Sequence, residues 1–169
     1  GVGKATCARH LAAALNCQTS PGEGCDACAS CHKIAEGIHP DLSVLEPDGQ
    51  FIKIDQVRAL EERLGYAPHE GRHRLVLIDG AERLNASAAN ALLKSVEEPL
   101  EGTVFVLATS ASHRVAPTLV SRCQRLRFVP LAPEQVLEVI APLTEADSGQ
   151  RRSAAALAEG SPRRALRLL

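Results

Sequence analysis

Four cysteines near the start of the chain have the spacing of a metal site. Cys17, Cys25, Cys28 and Cys31 form the pattern Cys-x7-Cys-x2-Cys-x2-Cys among Gly, Ser and Pro residues. Thiolates at such short steps can converge on one tetrahedral ion, and zinc is the metal that this set favours. Two disulfides are the alternative, but in a reducing compartment such spacings more often mean metal. Because all four ligands are protein groups, the predicted zinc is structural.

The first four residues, Gly-Val-Gly-Lys, predict a phosphate-binding loop. Backbone N–H groups of such a loop and the positive end of the following helix attract phosphate, while the lysine reaches the outer phosphates. Gly1, Gly3 and Lys4 fit these positions. The next position normally holds magnesium through a hydroxyl, but here it is Ala5, with Thr6 one residue too late. Thr6 therefore belongs to a degenerate nucleotide site, and ATP with magnesium is a weak expectation.

A second acidic element of the same site follows an apolar run. Asp79 ends the segment Arg-Leu-Val-Leu-Ile-Asp, where folds of this kind place the magnesium-coordinating aspartate. The alternative is a carboxylate that caps the next turn. ATP hydrolysis also needs a neighbouring carboxylate for the attacking water, but the next residue is Gly80. Glu82 lies three positions after Asp79 and is expected to point elsewhere. Ala5 and Gly80 together predict weak or absent hydrolysis.

Alternating helix and strand patterns must position these residues. A short strand is predicted at 42–45, and the continuous apolar runs at 75–78 and 104–108 are typical of buried parallel strands. Helical patterns cover 4–15, 54–64 and 85–98, the last stopped by Pro99. A further strand is predicted at 125–129, and the pattern after it is helical. The fold class is therefore α/β, a P-loop domain with a parallel sheet, a zinc-binding insertion at 17–31 and a small helical domain.

Length and composition limit the remaining possibilities. The chain has 169 residues, of which 45% are hydrophobic, enough for one domain with a small appendage. The net charge of -1 gives no global attraction to nucleic acid, and only 2% of residues are aromatic. No apolar run has the length of a membrane span, so we expect a soluble, cytoplasmic protein without a membrane partner. We also expect the natural chain to begin before Gly1, because the loop motif is incomplete.

The order of these motifs resembles one family, the AAA+ subunits of the bacterial DNA polymerase III clamp loader. The phosphate loop and helix are followed by the four-cysteine insertion and then by Gly-Ile-His-Pro-Asp at 37–41. Further motifs are Asn-Ala-Leu-Leu-Lys at 90–94, Glu-Glu-Pro at 97–99, Leu-Ala-Thr at 107–109, Ser-Arg-Cys at 121–123 and Gly-Ser-Pro-Arg at 160–163. The resemblance covers the whole chain. It implies an AAA+ core at 1–129 and a helical lid at 130–169.

The resemblance also implies roles for individual residues. Lys4 is similar to the phosphate-loop lysine and Asp79 to the acid at the strand end. Thr109 resembles the polar sensor of the outer phosphate, and Arg163 resembles the second sensor in the lid. Arg122 resembles the arginine finger that one subunit supplies in trans to ATP on its neighbour. A guanidinium suits that role because it is always charged and forks onto phosphate oxygens. The alternative for Arg122 is an ordinary surface or ion-paired arginine.

The departures at Ala5 and Gly80 indicate the delta-prime type of this family. A subunit of that type assembles with gamma/tau and delta subunits to load the sliding clamp on primed DNA, and it belongs to the DNA-directed DNA polymerase holoenzyme without hydrolysing ATP itself. Two alternatives stay open at this point. One is a catalytically active gamma/tau-type ATPase that tolerates both substitutions. The other is a zinc-bearing P-loop regulator or DNA-repair factor outside replication.

Overall fold

The computed structural model describes residues 2–169 and has an α/β architecture; the predicted role of Gly1 lies outside the described residues. The helices are α1 (Lys4–Asn16), α2 (Ala29–Ala35), α3 (Ile54–Leu64), α4 (Ala86–Glu97), α5 (Pro117–Val120), α6 (Pro133–Ile140), α7 (Ser148–Leu157) and α8 (Pro162–Arg167). The strands are β1 (Leu42–Leu45), β2 (Arg74–Asp79) and β3 (Thr103–Ala108). None of these helices is long and apolar enough to cross a membrane.

The three strands form a parallel sheet in the order β1-β2-β3. Central β2 pairs with both neighbours, so that Leu77 lies opposite Val44 on one side and Val106 on the other. Every residue of β2 before Asp79 is buried. The continuous apolar runs are therefore parallel strands, as the sequence predicts, because such strands are covered on both faces.

Two hydrophobic cores cover the two faces of this sheet. Leu75 and Leu77 pack with α1 and the cysteine segment, whereas Val76 and Ile78 pack with α3, α4 and α5. All four side chains are fully buried, and burial of each contributes about 1.5–3 kcal/mol to folding. The alternation of side chains along β2 thus holds α1 and the helix pair α3–α4 on opposite faces of one sheet.

The chain divides into two compact units. The larger is Ala5–Arg125, and the smaller joins Leu126–Leu169 with the first residues up to Lys4. Within the smaller unit, α6, α7 and α8 enclose a separate core of one valine, one isoleucine and four alanines. The helical pattern predicted after Pro130 is present.

The strand predicted at 125–129 does not form. Residues 124–132 have no regular secondary structure, and the side chains of Leu126 and Phe128 are exposed. A strand is stable only when a neighbour pairs with its backbone N–H and C=O groups. In residues 2–169, β3 pairs with β2 alone, and no strand lies beside 125–129. The prediction of a strand at 125–129 was therefore wrong.

Candidate functional site

The four cysteines of the predicted metal site converge in the structure. Their Sγ atoms all lie within 4.8 Å of one another, and those of Cys17 and Cys28 are 3.9 Å apart. Zinc–sulfur bonds of about 2.3 Å around a tetrahedral ion require sulfur separations of roughly 3.8 Å. The cluster therefore has the donor set and the approximate size to hold a metal ion such as zinc. All six cysteines of the chain are free thiols, so the disulfide alternative has no support.

Backbone N–H groups point at three sulfur atoms of the cluster. Ser20 donates to Cys17 at 3.2 Å, the N–H of Cys28 donates to Cys25 at 3.2 Å, and the N–H of Cys31 donates to Cys28 at 3.5 Å. Burial opposes ionisation of Cys17, but the Ser20 N–H and the Thr19 hydroxyl outweigh it and lower its pKa to about 6. The N–H of Cys31 lowers the pKa of Cys28, whereas burial raises the pKa of Cys31 to about 11. Hydrogen bonding in the cluster thus shifts two of the four thiols, Cys17 and Cys28, toward the thiolate form that binds metal.

Regular elements position the cluster against the core. Cys17 directly follows α1, Cys28 is the N-cap of α2, and Cys31 lies within α2. Cys17 and Cys31 are buried in the core that covers one face of the sheet. His32 follows Cys31 but is exposed, and its Nδ1 lies 3.4 Å from Oε1 of Glu36.

A buried polar network lies beside the cluster and includes two residues of the motif at 37–41. The sequence did not predict this network. Asp41 is buried and accepts hydrogen bonds from the N–H groups of residues 69, 70 and 71 at 2.6–2.8 Å. Burial opposes ionisation of this carboxyl, but the three N–H donors prevail and lower its pKa. His39 accepts from the N–H of Asp41 and lies 3.1 Å from the hydroxyl of Ser30 in α2. These residues connect the cysteine segment to the loop before β2.

The carboxyl ends of β2 and β3 meet at one edge of the sheet, where Asp79 and Thr109 lie. Asp79 is the last residue of β2 and pairs with Ala108, which precedes Thr109. Gly80 follows with φ +88°, a left-handed conformation that disfavours residues with a Cβ. A Cβ on Gly80 would lie 3.4 Å from Cγ of Pro47, an ordinary van der Waals contact. The backbone conformation at this position, and not a lack of space, therefore favours glycine.

Glu82 binds Thr109, the predicted sensor residue, and the residue after it. The hydroxyl of Thr109 donates to Oε2 of Glu82 at 2.6 Å, and the hydroxyl and N–H of Ser110 donate to Oε1 at 2.6 and 3.3 Å. Burial opposes ionisation of Glu82, but these donors lower its pKa to about 2. Sequence reasoning missed this contact because 27 positions separate the partners; the turn after Asp79 was the available signal.

Arg122 lies at the surface just after α5. Its Nη1 donates to the carbonyl of Thr118 at 3.0 Å, and its Nη2 lies 3.0 Å from Oε2 of Glu97, the last residue of α4. The side chain of Arg122 is 33% exposed. Within residues 2–169 the guanidinium has no further partner, so several of its N–H donors remain available.

The remaining predicted nucleotide-site residues lie near the start and the end of the chain. Gly3 has φ +88°, Lys4 begins α1, and the side chain of Thr6 is exposed. Arg163 is exposed on α8. In the smaller unit a cavity of about 430 Å³ is lined by Val2, Ala158, Glu159, Ser161, Arg163, Arg164 and Arg167. The cavity brings the start of the predicted phosphate loop next to several arginines.

The chain is similar in sequence to subunits of a known protein family. The model of the family described as DNA polymerase III, delta subunit, matches residues 1–132. DNA polymerase III subunit delta' of Bacillus subtilis is 40% identical over 136 residues, 80% of this chain and 41% of the relative. The delta' subunit of Pseudomonas aeruginosa is 39% identical over 172 residues, 99% of this chain and 52% of the relative. The chain thus spans about half the length or less of these relatives.

Solved structures give the same fold. A DNA polymerase III gamma subunit-related protein from Thermotoga maritima superimposes with a TM-score of 0.55 and 30% identity, over 74% of this chain and 47% of that one. RuvB of the same organism, a Holliday junction branch migration motor, has a TM-score of 0.64 over 99% of this chain and 49% of its own, and its 22% identity bears on the fold alone. By the family model and the relatives in sequence, the chain belongs to the DNA polymerase III delta subunit family and is similar to its delta-prime members.

Proposed function

We propose that this chain acts as the delta-prime subunit of a DNA polymerase III clamp loader. It assembles with gamma/tau- and delta-type subunits, and the assembled complex places the sliding clamp on primed DNA. Its own site does not hydrolyse ATP, and Arg122 serves as an arginine finger for ATP bound by a neighbouring subunit. The observation that carries this proposal is the contrast between an available guanidinium at Arg122 and a strand end adapted to glycine at Gly80.

The position of Arg122 supports the finger role. Its guanidinium lies at the surface and keeps free N–H donors, as a group that acts on a partner requires. Such a group remains charged at all relevant pH values and can bind phosphate oxygens through two parallel hydrogen bonds. An arginine finger stabilises the charge that develops on a transferred phosphoryl group.

Three features support the loss of hydrolysis in the chain's own site. Ala5 offers no hydroxyl for magnesium, and Gly80 offers no carboxylate for the attacking water. In addition, the hydroxyl of Thr109 is bound to Glu82. These features disfavour the gamma/tau-type ATPase alternative. The arginines around the cavity of the smaller unit support the proposal that 130–169 is a lid in which Arg163 can meet phosphate.

The cysteine cluster fits a structural zinc ion. Cys17, Cys25, Cys28 and Cys31 would hold it, and the ion would supply cross-linking of a segment that has few apolar side chains. The four thiolates fill a tetrahedral coordination sphere, so the site is suited to stability rather than to catalysis.

The test is the DNA-stimulated ATPase of a reconstituted clamp loader that contains Arg122→Ala in the full-length subunit. We expect the rate to fall by about 10³-fold or more, as removal of an arginine finger does. Arg127→Ala, which removes another exposed arginine, is the matched control and should leave the rate unchanged. The isolated subunit should show no turnover. An unchanged rate in the Arg122→Ala complex, with normal assembly, would overturn the proposal.

A further inference from the structure

The contact between Glu97 and Arg122 carries an inference about how the finger is presented. We propose that Glu97 is a positioning residue for Arg122, which holds the guanidinium in the orientation that meets the outer phosphates of a neighbour's ATP. This inference rests on the proposed function. It goes further because it assigns a second residue, in a different helix, to the action on the neighbouring subunit.

Two contacts fix the guanidinium of Arg122 from two directions. The carbonyl of Thr118 binds Nη1 at 3.0 Å, and the carboxylate of Glu97 lies 3.0 Å from Nη2. With only one of these contacts, the planar guanidinium could still rotate about that contact. Both together define its plane, while the N–H donors that they do not use remain free.

The backbone that carries these contacts is itself anchored. Leu119 in α5 is fully buried in the core that also contains Leu92 of α4, and α5 packs against α4. The N–H of Arg122 donates to the carbonyl of Leu119 at 3.1 Å. The bases of the Glu97 and Arg122 side chains are thus held by one packed core. A finger that is already oriented loses less side-chain entropy when it meets its target.

The position of Glu97 is difficult to explain by stability. It is the last residue of α4, and the partial negative charge at a helix C-terminus disfavours a carboxylate there. The pair with Arg122 is also largely solvent-exposed, at 33% and 54% of the side chains, and such pairs contribute little to folding. Glu97 therefore contributes little to the stability of its helix or of the fold. A role in orienting Arg122 is consistent with this.

The neighbouring residue provides a matched control. Glu98 carries the same carboxylate one position later, is exposed, and has no ion-pair partner within residues 2–169. The experiment measures kcat and KM for ATP in the reconstituted clamp loader with full-length Glu97→Gln, Glu98→Gln, Arg122→Ala and the double variant Glu97→Gln/Arg122→Ala. Thermal unfolding and assembly are measured on the same proteins.

We expect Glu97→Gln to lower kcat about tenfold with KM nearly unchanged, because a small misplacement of a group that acts in the transition state lowers the rate strongly. Glu98→Gln should change kcat less than twofold. In the Arg122→Ala background, Glu97→Gln should have no further effect, since its role is exerted through the guanidinium. A structural role would instead lower the rate in both backgrounds.

The other outcomes separate the two proposals. If Arg122→Ala abolishes stimulation but Glu97→Gln behaves like Glu98→Gln, the positioning role is wrong and the proposed function stands. If Glu97→Gln raises kcat, the carboxylate restrains the finger rather than presenting it, and the inference is overturned. An equal loss in the Arg122→Ala background overturns it as well. If Arg122→Ala itself has no effect, the proposed function falls and the inference falls with it.

Discussion

Two regions of the molecule differ in how complete their sets of functional groups are. One is the cysteine cluster, and the other is the edge of the sheet formed by the ends of β2 and β3. The cluster has all four thiols within 4.8 Å and backbone N–H groups aimed at three of them. The strand edge has Asp79 and Thr109, but Gly80 supplies no second carboxylate. One region has the full donor set for a metal ion, and the other lacks the neighbouring carboxylate that hydrolysis by such a fold requires.

The two regions also differ in how far their functional groups belong to the core. The cysteine cluster shares its residues with the fold, because Cys17 and Cys31 are part of a hydrophobic core. Hydrolysis depends on groups at the surface edge of the sheet, and these can change while the strands remain. At this edge the hydroxyls of Thr109 and Ser110 both donate to the carboxylate of Glu82. These polar groups are thus bound within the protein itself.

Removal of one thiol should have the largest effect and tests whether the cluster is needed for folding. We expect Cys31→Ser to lose bound zinc and to unfold residues 17–36, because binding of structural zinc contributes on the order of 10 kcal/mol to such segments. Zinc content and amide hydrogen exchange of this segment measure both effects. Cys7→Ser, which changes an exposed thiol outside the cluster, is the matched control. Full zinc content in Cys31→Ser would break the comparison, since the cluster would then tolerate an incomplete set.

Loss of Glu82 should have a medium effect and tests whether the strand edge is stabilised by its own contacts. We expect Glu82→Ala to lower the free energy of unfolding by about 1–2 kcal/mol, a value reduced for partial solvent exposure. Glu101→Ala, at an exposed position before β3, should leave stability unchanged.

The stabilisation by Glu82 should also depend on pH, in a direction that its pKa sets. The pKa of Glu82 is about 2 in the folded chain and about 4.3 when unfolded. Its stabilisation is therefore complete above the unfolded value and is lost as pH falls through about 2. Denaturant unfolding of the unchanged protein and of Glu82→Ala should show a difference in unfolding free energy that shrinks as pH falls from about 4.3 to about 2. A constant difference down to pH 2 would contradict the ionised contact.

Substitution of Gly80 should lower stability about as much as loss of Glu82, and it tests whether a carboxylate at this position is enough for ATP hydrolysis. We expect Gly80→Glu to cost about 1–2 kcal/mol, because φ is +88° there, and to produce no ATP hydrolysis. Gly65→Ala is the control, since Gly65 has φ -64° and room for a Cβ. Thermal unfolding and steady-state phosphate release are the measurements. Hydrolysis by Gly80→Glu would show that only one residue separates this edge from activity.

Features with a local or periodic signal could be predicted from the sequence. The hydrophobic patterns predicted β1, β2 and β3. Pro99 predicted the end of α4 to within two residues. The short steps between cysteines were enough to predict the cluster, because ligands close in sequence have few alternative arrangements.

Contacts between distant residues carried no such signal. Nothing in the sequence around Asp41 shows that three N–H groups of residues 69–71 surround it, and nothing near Glu97 identifies Arg122 as its partner. Residues 125–129 show the opposite case. Their alternation of apolar and polar residues favours a strand, but pairing depends on a neighbour that the segment itself cannot specify.

The contact between Thr109 and Glu82 has a consequence for any anion that approaches this threonine. A hydroxyl has one proton, and here a carboxylate 2.6 Å away already accepts it. A phosphate oxygen that accepted the hydrogen bond of this hydroxyl would leave Glu82 without one of its donors. The free energy gained would be the difference between the new hydrogen bond and the one that was broken. Binding of an anion at Thr109 would therefore be an exchange of hydrogen-bond partners, in which the carboxylate of Glu82 is the competitor.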